Sequence, residues 1–203
     1  MIAILDYGIG NLNSIYNMLK KINVNSLITS DIKKIEKAEK FILPGVGSFD
    51  VAIKSLKNAN FFKTLETQVV TNKKPILGIC LGMQLLTNCS EEGTEKGLGW
   101  IDATTVKFNT DIENLSIPHM GWDKIEPINT NNIFKNLNDN RFYFIHSYHV
   151  KCKNDENILA KANYYQSFTC AINRNNIFGV QFHPEKSHKF GMILLKNFSE
   201  ING

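Results

Sequence analysis

The chain has 203 residues, 43% of them hydrophobic and 21% charged, so it can bury a sizeable core and is not a disordered segment. Its formal charge of +4 comes from lysines scattered along the sequence rather than gathered into a basic block, which argues against a nucleic-acid partner. No apolar run approaches the length of a membrane span, and residues 1–8 lack the basic start and cleavage site of a secretory signal, so a cytoplasmic protein with no membrane partner is expected.

In chain order, residues 1–6 predict a short strand, followed by a turn at Tyr7-Gly8-Ile9-Gly10. An amphipathic helix is predicted over 13–22, where Ile15, Met18, Leu19 and Ile22 recur at helical spacing. Residues 26–29 and 40–43 predict strands, 61–72 a helix and 75–79 another strand. That alternation predicts an α/β fold with an open, mostly parallel sheet and helices on its faces. Beyond about residue 90 the texture turns β-rich, with strand-like runs at 141–150 and 177–183. The asparagine-rich stretch 129–140 reads as a surface loop, and a last helix is predicted over 190–201 with Met192, Leu195 and Phe198 toward a core. No repeat or linker divides the chain, so residues 1–203 are expected to form one domain.

Two patterns that suggest cofactors do not survive inspection. Gly8 and Gly10 lack the third glycine of a dinucleotide fingerprint, so no nicotinamide cofactor is expected. His119, His146 and His149 have no carboxylate or cysteine at ligand spacing, and read as strand residues lining a cleft rather than as a metal site. The four cysteines, Cys80, Cys89, Cys152 and Cys170, form no C-x-x-C pair and read as free thiols.

Cys80 has a distinctive setting. Gly78-Ile79-Cys80-Leu81-Gly82 has the spacing of a nucleophile elbow with sulfur in place of oxygen, at the junction of a strand-like and a helix-like run. A thiol there would sit at a helix N-terminus, where the dipole favours an anion, and the flanking glycines would permit close approach of neighbouring backbone. The Leu81 N–H, unpaired within the helix, would face an oxygen developing charge beside the sulfur. A second such donor is expected in Pro44-Gly45-Val46-Gly47, directly after an apolar strand. A base and its orienter stand together in Gln181-Phe182-His183-Pro184-Glu185: in extended backbone His183 and Glu185 share a side, and the carboxylate can hold one imidazole nitrogen while the other faces Cys80.

With these residues in place, the sequence resembles the class I, triad-type glutamine amidotransferases over nearly its whole length. Within them it is similar to the glutaminase subunits of imidazole glycerol phosphate synthase: YGIGNLNSI, PGVGSF, PILGICLGMQLL, PHMGW, YFIHSY and FGVQFHPEKS stand in that family's order. The resemblance implies a flavodoxin-like fold in which Cys80 attacks the side-chain amide carbon of glutamine, His183 protonates the departing ammonia and Glu185 orients the imidazole. It implies an oxyanion hole from the N–H of Leu81 and one in Val46-Gly47, and a glutamine pocket including Gln84, Ser147 and Tyr148. It further implies a (β/α)8-barrel synthase subunit as partner, met by Asn11 and residues 118–122, among them His119, Met120 and Trp122.

Some positions depart from the histidine-pathway pattern. Asp123 follows Gly121-Trp122 where asparagine is frequent, and HSYHV and SHKFGM are unusual. They resemble a paralogous branch that supplies ammonia to amidate a bacterial surface-polysaccharide sugar, which leaves two acceptors open. A stand-alone cysteine hydrolase on the same scaffold is the reading of a different class.

Overall fold

The computed structural model describes residues 1–109, 116–128, 132–137 and 139–201. Its first half alternates: β1 (Ile2–Leu5), α1 (Leu12–Lys21), β2 (Ser26–Thr29), α2 (Ile32–Lys37), β3 (Lys40–Leu43), α3 (Phe49–Asn58), α4 (Phe62–Glu66) running into a π turn over Thr67–Thr71, β4 (Ile76–Ile79) and α5 (Leu81–Leu85). Two of these helices, α2 and α3, add to the predicted set. Asp31 caps α2 by accepting the Lys34 N–H at 2.9 Å, satisfying one of the orphan donors of its first turn. In α3, Phe49, Ala52, Ile53 and Leu56 follow at helical spacing and are fully buried on one face.

The second half is β-rich, as its texture predicts: β5 (Cys89–Ser90), β6 (Ala103–Lys107), β7 (His119–Pro127), β8 (Arg141–His146), β9 (Tyr148–Cys152), β10 (Ile158–Tyr164), β11 (Gln166–Arg174) and β12 (Ile177–Val180), closed by α6 (His188–Glu200). The strands join one sheet in the order β2-β1-β3-β4-β12-β11-β10-β7-β8. From β2 to β12 the neighbours run parallel; beyond β12 they run antiparallel. At β11 the sheet forks, with β9 pairing there and carrying β6 and β5 on its far side.

Helices cover both faces of the parallel half. Ile15 and Leu19 of α1 pack with Leu194, Leu195 and Phe198 of α6 on one face, while α2, α3, α4 and α5 bury their apolar residues on the other. The central strands β1 and β4 are buried throughout, which is why they read as unbroken apolar runs rather than alternating ones. Among the described residues no helix is long and apolar enough to cross a membrane.

Four expectations need correction. The run 141–150 is two strands divided at Ser147, because β8 pairs with β7 whereas β9 pairs with β6 and β11. The strand expected over 177–183 ends at Val180, leaving Gln181 and His183 free to turn into the site. In α6 Met192 is only half-buried and Leu194 takes the core position. Of the asparagine-rich stretch, 129–131 and 138 lie outside the described residues; within it Ile133 and Phe134 are buried rather than on a surface loop, held by the buried Asn197 amide donating to the Ile133 and Lys135 carbonyls at 3.1 and 2.6 Å.

Candidate active site

Strands β3, β4 and β12 are parallel neighbours, so the segments leaving their C-terminal ends emerge side by side, where open α/β sheets bind ligands. Those segments are the Pro44-Gly45-Val46-Gly47 turn, Cys80, and the run from Gln181 to Glu185. Cys80 stands alone between β4 and α5 at φ +54°, a conformation most side chains avoid, and its N–H donates to the Val180 carbonyl at 2.8 Å. The flanking glycines explain how this turn fits. A Cβ on Gly82 would stand 2.0 Å from the Leu43 carbonyl oxygen, one on Gly78 2.6 Å from the Gly82 carbonyl oxygen, and one on Gly45 2.5 Å from the Gly82 nitrogen. Three backbones touch here with no room for a side chain.

The helix behind the sulfur is one turn of five residues, too short to add up the dipole expected from the sequence. The nearer influence on Cys80 is His183, which lines the same cleft. His183 Nδ1 lies 2.7 Å from Glu185 Oε1, and both side chains are buried. Burial alone lowers the affinity of His183 for a proton, but hydrogen bonds to Cys80 and Glu185 and the charges of both outweigh it and raise the pKa to about 10. The link between His183 and Glu185 is a 3₁₀ turn over Pro184–Lys186 rather than the expected extended backbone. The contact survives because the turn brings the carboxylate back to the ring's Nδ1. Glu185 Oε2 is buried and has no hydrogen-bond partner among the described residues.

A cleft of about 350 Å³ opens above these groups. Val46, Gly47, Cys80 and Leu81 form one side; Gln84, Ser147 and Tyr148 form another; His183 completes the wall. The N–H groups of Leu81, Val46 and Gly47 have no acceptor among the described residues, as a site for a developing oxyanion requires. The Tyr7 hydroxyl, donating to the Pro44 carbonyl, ties the glycine turn to β1. Gln84 is buried and donates to the Tyr148 carbonyl at 3.3 Å and to Gln181 Oε1 at 3.1 Å.

The Glutamine amidotransferase class-I family matches this chain over residues 3–201. Imidazole glycerol phosphate synthase subunit HisH 2 of Methanococcus maripaludis is 54% identical, covering 98% of each chain. The chain belongs to the HisH branch of the class I glutamine amidotransferases. The protein of the same printed name from Pseudomonas aeruginosa is 47% identical over 99% of this chain and 100% of its own. A solved glutamine amidotransferase superposes with a TM-score of 0.76 at 17% identity, covering 98% of this chain and 97% of that one, a likeness of fold.

In this amidotransferase the sequence-predicted residues divide into two groups. Cys80, His183, Glu185, Leu81, Val46, Gly47, Gln84, Ser147 and Tyr148 converge on the cleft or its immediate support. Of the residues expected at a partner surface, Met120 and Trp122 are 58% and 44% exposed, and Asn11 is half-buried ahead of α1. His119 is a correction: it is 2% exposed, because strand alternation turns it inward against β8, where it lies opposite His146.

Sequence reasoning also passes over several cleft groups. Gln181 is fully buried, and its amide nitrogen lies 3.7 Å from the Cys80 sulfur. Its place two residues before His183, on the same side of the chain, is the signal that could have found it. The Ile145 carbonyl, 3.9 Å from the sulfur, is a backbone group with no signature in sequence. Glu92, Pro118 and Lys186 complete the cleft from elements distant in the chain.

Proposed function

We propose that this amidotransferase is the glutaminase subunit of imidazole glycerol phosphate synthase, hydrolysing glutamine to glutamate and ammonia with Cys80, His183 and Glu185 as its triad. The observation that carries this reading is the buried His183, set between the Cys80 thiol and the Glu185 carboxylate beneath a cleft with free N–H donors. With the proton of Cys80 held on His183, the sulfur adds to the amide carbon of glutamine. The oxyanion lies against the N–H groups of Leu81 and the Val46-Gly47 turn. The intermediate collapses as His183 passes its proton to the leaving nitrogen, releasing ammonia and leaving a thioester on Cys80. Water, deprotonated by His183, then cleaves the thioester; glutamate departs, and His183 is left holding the proton as at the start. Gln84, Ser147 and Tyr148 hold the substrate, and Glu92 and Lys186 offer charges complementary to its ammonium and carboxylate.

Residues 1–203 act in this reading as one cytoplasmic domain in a heterodimer with a (β/α)8-barrel synthase, docked on the face carrying Met120 and Trp122, with Asn11 beside it. No cofactor is required. The histidine pathway is preferred over amidation of a surface sugar because full-length relatives carry the synthase name. Complementation decides it: the chain, expressed with the synthase subunit from the same source, restores growth of a histidine auxotroph lacking its own glutaminase subunit. No growth despite intact protein would favour the sugar acceptor. Brisk glutamine hydrolysis that no partner alters would instead favour a stand-alone hydrolase. Cys80→Ala abolishes glutamine-dependent synthesis while synthesis from ammonium continues; glutamate release persisting in that variant would remove Cys80 from the reaction.

A further inference from the structure

A line of hydrogen bonds runs inward from the face that carries Met120 and Trp122. Asp123 Oδ2 lies 3.0 Å from His119 Nε2, His119 Nδ1 lies 3.0 Å from His146 Nε2, and His146 Nδ1 lies 2.8 Å from the Tyr148 carbonyl oxygen. The antiparallel register of β7 and β8 sets the two histidines directly opposite each other, and Gly121 leaves no side chain between His119 and Asp123. Both imidazoles are buried, whereas Asp123 is one-third exposed, so the line meets the protein surface at its carboxylate end and borders the cleft at His146 and Tyr148.

Three gaps need three protons, but two neutral imidazoles bring only two, and neither the carbonyl nor a carboxylate brings one. The closed line therefore carries a third proton and, with the Asp123 carboxylate, no net charge. Burial works against that proton on His146, whose pKa is lowered to about 3, and the neighbouring histidines oppose it further. On His119 burial is again the largest influence and leaves the pKa lowered, although less is lost than on His146 because the charge and hydrogen bond of Asp123 act in the opposite sense. The His119 ring is also stacked between Phe144 and Tyr164, with centroids at 4.8 and 4.0 Å, and aromatic faces favour a cation. The third proton thus belongs at the Asp123 end. Other titratable groups around the pair are His149 of β9 and His183 facing His146, and Cys170 of β11 with Glu126 of β7 near Asp123. Burial keeps His149 neutral and Cys170 a thiol.

When the third proton is lost, one gap must stand empty. The carboxylate is the best acceptor on the line, so His119 turns its remaining proton to Asp123 and His146 turns its own to His119. The empty gap then falls between the bare His146 Nδ1 and the Tyr148 carbonyl, two acceptors 2.8 Å apart that repel. The same carbonyl accepts from Gln84, which binds Gln181, which reaches the Cys80 sulfur. We propose that Asp123, His119 and His146 are positioning residues forming a three-proton relay, whose third proton holds the Ser147-Tyr148 wall of the glutamine pocket in place and whose loss releases it. The proposal rests on the amidotransferase reading above.

The test compares wild type, Asp123→Asn and Asp123→Ala. Asparagine can donate its amide proton to a neutral His119 and close the line without the extra proton. Glutamate release in the presence of the synthase, followed from about pH 5 to about pH 9, should show the wild-type KM for glutamine rising by about tenfold per pH unit above the relay pKa, as the competent fraction falls, with kcat changing less. In Asp123→Asn that limb disappears and KM stays near the low-pH wild-type value. In Asp123→Ala KM is raised at every pH. Nitrogen NMR of histidine-labelled full-length chain gives a readout independent of turnover: His146 Nδ1 carries a proton at low pH and is bare at high pH in wild type, and keeps its proton throughout in Asp123→Asn. Superimposable KM profiles for wild type and Asp123→Asn, or a His146 Nδ1 that stays protonated across the range in wild type, would overturn the relay. A chain that releases no glutamate at any pH would instead overturn the amidotransferase reading, while the NMR titration still decides the relay.

Discussion

At the scale of single residues, the site depends on where side chains are missing as much as on where they are present. Gly82 has no substitute, since even the smallest Cβ would collide with the rigid Leu43 backbone oxygen. Gly82→Ala is therefore expected to destabilise the chain by about 3 kcal/mol, at the upper end of overpacking costs, because backbone rather than a flexible side chain must give way. Urea denaturation measures this, and a loss under about 0.5 kcal/mol, the size of an ordinary surface effect, would contradict the crowding argument. The proton on His183 gives a second residue-scale expectation. Its pKa is raised to about 10 by Cys80 and Glu185 against the pull of burial, whereas an unfolded histidine titrates near about 6.5. The native state consequently gains stability from this proton that is complete below about pH 6.5 and vanishes as pH rises through about 10. The stability gap between wild type and His183→Ala should narrow across that window; a constant gap would show that the native imidazole is not held protonated.

Among the elements, β7 has two faces with different duties. Its inward side carries His119 and Asp123 to the buried line, and its outward side exposes Met120 and Trp122. Trp122 lies flat on His188 with ring centroids 5.4 Å apart, so it is a surface anchor held in place rather than a core residue. Trp122→Ala should keep its circular dichroism and lose about 2 kcal/mol of affinity for the proposed synthase partner, roughly thirtyfold, along with the rise in glutaminase activity on binding. An unfolded variant would mean that the indole supports the core, and undiminished stimulation would move the interface elsewhere. Legibility also varies by element. The parallel strands are readable because burial on both faces leaves continuous apolar runs, and the convergence of Cys80, His183 and Glu185 because each sits in a short motif with its own chemistry. The division at Ser147 is not: Phe142, Phe144, His146 and Val150 keep one alternation across it, and only hydrogen-bond partners reveal that the chain changes neighbours there. The pairing of His119 with His146 is hidden for a related reason, since it depends on register between two strands, whereas Gln181 carries a local signal in its place two residues before His183.

For the whole molecule, the order of strands in space departs from their order in the chain. His183, which faces the same cleft as Cys80, arrives on the segment after β12, which inserts beside β4 from about 100 residues further along. During synthesis at about 5–20 residues per second, β4 and its thiol are therefore complete roughly 5–20 s before their neighbour leaves the ribosome. Through that interval the open edge of β4 is a hydrophobic strand without a partner, the kind of surface chaperones cover. The thiol of the growing chain meanwhile has neither His183 nor Glu185 beside it. Because ammonia released without an acceptor is wasted, the late arrival of β12 doubles as a safeguard: a polypeptide interrupted before it is nearly finished spends no glutamine.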